Sequence, residues 1–92
     1  MAQVNTGLWH GPVFGLDPGA EHHWIADGAL PFGQVQWFFA HPLAANGIER
    51  SVEVVETFCL TKADGTRQIN VHVRNNGANT ATYSIFYAFV GP

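Results

Sequence analysis

The chain has little charge and almost no cysteine, and these two shortages narrow its options first. Of 92 residues, 4 are Lys or Arg and 7 are Asp or Glu, for a formal net charge of −3. Charged residues make up 12% of the chain, about half the share of an ordinary soluble domain. Four cations are too few to grip a phosphate backbone, so nucleic acid is not an expected partner. Cys59 stands alone, which excludes an internal disulfide. No stretch reaches the ~18 consecutive apolar residues of a membrane helix, and no membrane span is expected. The opening Met1-Ala2-Gln3-Val4-Asn5-Thr6-Gly7 lacks the basic and apolar regions of a secretory leader. The expectation is a cytoplasmic protein, or one exported without a cleavable signal peptide. No linker, repeat or low-complexity tract breaks the chain, which reads as a single domain over 1–92.

What is abundant is apolar and aromatic. Hydrophobic residues make up 47%, with three Trp, two Tyr and seven Phe, alongside ten Gly and five Pro. Turn chemistry punctuates these residues at short intervals: Asp17-Pro18-Gly19 suits a type II turn. Asp27-Gly28, Pro31-Phe32-Gly33, His41-Pro42, Asn46-Gly47, Asp64-Gly65 and Asn75-Asn76-Gly77-Ala78-Asn79 follow. Between them lie apolar runs over 8–15, 21–26, 34–40, 49–62, 66–74 and 81–90, with no helical stripe. The period is two: Val35, Trp37 and Phe39 share one face, with Gln34 and Gln36 opposite. Pro12 confines the first run to a sheet edge. The pattern predicts an all-β fold, a small antiparallel sandwich of about six to eight strands, immunoglobulin-like or jelly-roll-like.

Asp64-Gly65 reads as a two-residue type I′ hairpin. That loop predicts Leu60 opposite Ile69, Phe58 opposite Val71 and Thr57 opposite His72. Phe58 and Leu60 are then expected in the core with Ile69, Val71 and Val73. Cys59 would share the other face with His72, and a bulge at Val54-Val55 would turn Glu56 outward. The run over 81–90 holds no charge and no proline, the pattern of a strand that aggregates if exposed. Both its faces and both its edges are expected to be covered. It is read as a central strand, and a homo-oligomer through 81–90 is the expected source of further cover.

Leu16-Asp17-Pro18-Gly19-Ala20-Glu21 followed by Trp24, and Val71-His72-Val73-Arg74-Asn75-Asn76-Gly77, resemble immunoglobulin-like sandwich modules of the bacterial CARDB type. Those modules carry an L-x-P-G turn before one strand and a V-x-V-x-N-x-G end to another. The resemblance implies a sandwich serving adhesion or binding and transfers no functional residue. In those modules the Asn-Gly element usually comes first, so the strand order here stays open.

Several residue groups could carry chemistry. His22 and His23 are adjacent, so on a strand they point to opposite faces and do not ligate one metal. No His-x-His spacing exists, and neither a metal nor another cofactor is expected. Cys59 near His72 would be a thiolate–imidazole pair, yet no oxyanion loop or helix N-terminus accompanies it. No enzymatic activity is expected. Trp9-His10, His22-His23-Trp24 and Gln36-Trp37 instead combine aromatic faces with short polar groups, the requirement for stacking and hydrogen-bonding a sugar. The chain therefore reads as a self-associating, lectin-like binding module with a possible glycan ligand at Trp9, His10, His22, His23, Trp24, Gln36 and Trp37. The competing expectations are a structural subunit of a larger particle, its aromatics in core and interface, and a small metal- or thiol-dependent enzyme.

Overall fold

A computed structural model describes residues 3–28 and 33–91. Six strands follow one another: β1 (Gln3–Leu16), β2 (Glu21–Gly28), β3 (Val35–Pro42), β4 (Val52–Thr61), β5 (Arg67–Asn75) and β6 (Ala81–Gly91). They form two three-stranded antiparallel sheets, β1-β6-β3 (sheet I) and β2-β5-β4 (sheet II). The fold is the expected all-β sandwich. Pro12 does lie on an edge strand, and β5 and β6 are the centres of their sheets. Of the loop expected around Pro31-Phe32-Gly33, residues 31 and 32 lie outside the described residues.

Alternation builds the core. β5 turns Ile69, Val71 and Val73 inward, and β6 turns Tyr83 and Ile85 to meet them. Leu16, Phe38 and Ala40 complete the buried cluster. Each such aliphatic side chain contributes about 1.5–3 kcal/mol by leaving water.

The chain passes from sheet I to sheet II at Asp17-Pro18-Gly19, which forms the expected turn. The Ala20 N–H donates to the Asp17 carbonyl at 3.0 Å, and Gly19 has a positive φ of 79°. Asn75, fully buried, holds this corner. Its Nδ2 donates to the Leu16 and Asn79 carbonyls, both at 2.8 Å. Its Oδ1 accepts from the Gly77 N–H at 2.9 Å, and its own carbonyl accepts from Gly19 at 2.9 Å. Every side-chain polar atom of a buried amide is thus used, as burial demands.

The 62–66 turn corrects the expected register. Only Gly65 has a positive φ (90°), and the Gly65 N–H donates to the Lys62 carbonyl. The loop is therefore three residues, Ala63 to Gly65, the geometry in which a left-handed glycine follows a tight turn. Asp64 reinforces it by accepting from the Thr66 N–H at 2.9 Å and the Thr66 hydroxyl at 2.7 Å. The added loop residue slides β4 by one place. Leu60 faces Gln68, Cys59 faces Ile69, Phe58 faces Asn70 and Thr57 faces Val71. A one-residue slip exchanges the faces of a strand, so Phe58 and Leu60 point outward and are 42% and 48% exposed. Cys59 and His72 fall on opposite faces, which removes the thiolate–imidazole pair. The bulge is where it was expected: Val55 is extra between Val54 and Glu56, and Glu56 faces outward opposite His72.

Two further expectations change. β1 begins at Gln3, because Gln3 to Gly7 pair with Tyr87 to Gly91. Gly11 lets β1 approach β6 closely: with a φ of 136°, an added Cβ would lie 2.7 Å from the Ser84 Cα. β6 is not covered on both faces. Its edges are paired with β1 and β3, yet Phe86 remains 41% exposed on the outer face.

Candidate functional site

The seven residues singled out as a sugar site do not form one site. Trp9 and His10 on β1, with His22 and Trp24 on β2, meet at the edge where those two strands face each other across the sandwich. His10 stacks on Trp24 (4.7 Å between centroids, 26° between planes), and Trp9 packs on Phe38 at 4.6 Å. Tyr83 anchors the group from β6. Its hydroxyl accepts from the Trp24 Nε1–H at 2.8 Å and lies 2.6 Å from His22 Nδ1. The Tyr83 hydroxyl thus joins Trp24 and His22 through one oxygen, which serves both as hydrogen-bond partner. Burial raises the Tyr83 pKa above its ordinary value, and the bond from Trp24 only partly offsets this. The cluster is a wedge between the sheets, with Trp24 Nε1 and His22 Nδ1 both bonded to the Tyr83 hydroxyl. A depression of about 360 Å³, lined by Val13, Phe14, His22, His23 and Trp24, opens beside it.

Of the other three residues, His23 reaches that depression from the outer face of sheet II, while Gln36 and Trp37 both line a cleft at the opposite edge. His23 faces outward on sheet II, beside the ring of His72 (4.0 Å), and donates to Asn70 Oδ1 at 2.8 Å. Gln36 faces inward at the opposite edge, where a cleft of about 500 Å³ separates β3 from β4. Trp37 points out from sheet I and is 72% exposed.

Trp37 belongs to a surface that residue-by-residue reading did not assemble. The registers of β1 and β3 against β6 set nine outward side chains in three rows across sheet I. They are Val4–Val90–Val35, Thr6–Ala88–Trp37 and Leu8–Phe86–Phe39. Thr6 is the one polar member. Val4, Leu8, Val35, Trp37 and Phe39 are each more than half exposed. β1, β3 and β6 contain no Lys, Arg, Asp or Glu at all. The face has relief: a hollow of about 160 Å³ sits over Ala88 between Trp37, Phe39 and Phe86. Beyond the third row, Pro12, His41, Pro42, Leu43, Ser84 and Phe86 line a trough of about 450 Å³. The clue in the sequence was the lack of charge in three separate runs. That these runs share one sheet was not visible.

Sheet II differs in chemistry. The Arg74 guanidinium holds the Glu21 carboxyl below the usual range, at 2.9 Å. Lys62 and Gln68 do the same for Asp27, with Lys62 at 2.7 Å. Among the described residues no three His, Cys, Asp or Glu are grouped to hold a metal. No helix among them is long and apolar enough to cross a membrane. No family model, curated protein or solved structure matches the chain.

Proposed function

We propose that the protein is a non-enzymatic assembly module, a subunit that packs the outer face of sheet I against another protein. The observation that carries this reading is the three-row apolar grid, uncharged on all three of its strands and exposed to water. Soluble proteins rarely leave so continuous an apolar patch uncovered, and those that do use it for contact. The glycan reading keeps Trp37 and Gln36, which line the cleft between β3 and β4 with Glu53, Glu56 and Thr57, but the exposed outer face of Trp37 belongs to the grid. On that outer face its neighbours Val35, Phe39 and Ala88 offer a sugar no hydrogen-bonding side chain. Trp9 and Trp24, the other candidate platforms, serve the wedge between the sheets.

The test is the native size of the protein in extracts of cells that make it, by gel filtration of tagged chains. The wild type should elute well above the mass of its 10.0 kDa chain. Phe39→Lys should return it to that mass, whereas Phe58→Lys, on sheet II, should not. A wild type that elutes as a lone chain, or a particle indifferent to Phe39→Lys, overturns the reading.

A further inference from the structure

We infer that the partner of this face is a second copy of the chain, seated face to face about a two-fold axis that crosses the strands along the Leu8–Phe86–Phe39 row. The inference rests on the assembly reading and names its partner. Three observations favour a copy. First, a face without charge can stack on itself with no like-charge contact, whereas the charged rows of sheet II cannot. Second, the area fits. Seven large apolar side chains on this face are exposed by 36% or more. At on the order of 100 Å² each they offer roughly 700 Å² per molecule, close to the share of one partner in a stable interface.

Third, the face carries both a knob and a hole, and the axis brings them together. Trp37 stands one row to one side of Phe39, and His41 with Ser84 stands one row to the other side. Rotation about the Phe39–Phe86 row therefore lays Trp37 over the partner copy's trough, and the partner's Trp37 over this one. Val35, one row further out, meets the trough's far end at Leu43, whose N–H is bonded to the Thr82 carbonyl at 2.8 Å. Each contact occurs twice, as a two-fold interface requires. A buried aromatic knob in an apolar pocket is also where binding energy concentrates.

Sedimentation and thiol cross-linking of the purified protein test this. The wild type should sediment as a dimer. Trp37→Lys at the knob and Leu43→Lys in the trough should each weaken it about 30-fold or more. Phe58→Lys should leave it unchanged, with circular dichroism confirming the fold of every variant. In a Cys59→Ser background, Leu8→Cys lies on the axis and should link to its own copy through a short bismaleimide. Val4→Cys lies four residues away, about 26 Å from its copy, and should not. A purified monomer overturns the second copy, yet leaves the assembly reading intact if the extract particle still depends on Phe39. A dimer that links through Val4→Cys and not Leu8→Cys overturns this seating. A dimer indifferent to Trp37→Lys overturns the inference and counts against the assembly reading as well.

Discussion

The two sheets have the same architecture and opposite surfaces. By register the outer face of sheet II takes Arg74, His72, Asn70 and Gln68 from the central strand β5, and that of sheet I takes Val90, Ala88, Phe86 and Ser84 from β6, with Asn70 and Ser84 themselves covered. All six charged residues that lie in strands, namely Glu21, Asp27, Glu53, Glu56, Arg67 and Arg74, belong to sheet II. Both sheets turn an apolar inner face to the shared core, because the core cannot form otherwise. The outer faces are free of that demand. That of sheet II carries ion pairs, with Ile25, Phe58 and Leu60 exposed among its polar residues. That of sheet I carries no charge, and the proposed assembly accounts for the difference.

The comparison breaks most severely where the sheets are joined. Asn75→Ala should cost about 3–5 kcal/mol in urea denaturation, since the Leu16 and Asn79 carbonyls and the Gly77 N–H all lose a buried partner. That approaches the whole stability of a domain this size. Neighbours on β6 sharpen the contrast of inner and outer faces. Ile85→Ala should cost about 2–5 kcal/mol through the cavity it leaves. Phe86→Ala, one residue on, should cost under about 1 kcal/mol in the isolated subunit and should act on association instead. Tyr83→Phe should cost about 1–3 kcal/mol by stranding the Trp24 N–H and His22 Nδ1.

Titration separates the sheets more gently. The phenol of Tyr83 has a raised pKa, so its contribution is complete below the ordinary tyrosine value near 10 and is lost as pH climbs past it. Tyr83→Phe should remove that part of the alkaline loss. Glu21 and Asp27 on sheet II, held low by Arg74 and Lys62, behave oppositely. Their contribution is present above the ordinary carboxylate range near 4 and drains away as pH falls through the depressed values. The effect on the melting midpoint should be small and should shrink further in salt, because these pairs lie in water. Association through sheet I, which has no carboxylate, should not follow that acid titration.

Much of the sandwich was legible along the chain. Turn residues fell between consecutive strands, and the alternation of β5 named its core residues correctly. The β4–β5 register was not legible to the residue. Asp64-Gly65 serves a two-residue or a three-residue loop equally well, and only the backbone at Asp64, which stays at negative φ, separates them. The start of β1 was missed because Gln3 to Gly7 are strand only by virtue of their pairing with the end of β6. The supposed sugar site was dispersed for a similar reason. Adjacent residues such as His22 and His23, or Gln36 and Trp37, were grouped by proximity in sequence, while strand parity sends them to opposite faces.

Local chemistry determined the order of strands and turns, the start of β1 excepted, and the partition of each strand into two sets of side chains, because a pleated backbone alternates whatever surrounds it. Which set faces inward was decided by the packing of the sheets. On β3 the set with two aromatic rings, Trp37 and Phe39, lies outside, while Gln36, Phe38 and Ala40 lie within. A strand with apolar residues on both faces carries no internal instruction for choosing between them. The choice comes from the space left between β5 and β6, and from it follows the apolar face on which the proposed assembly depends.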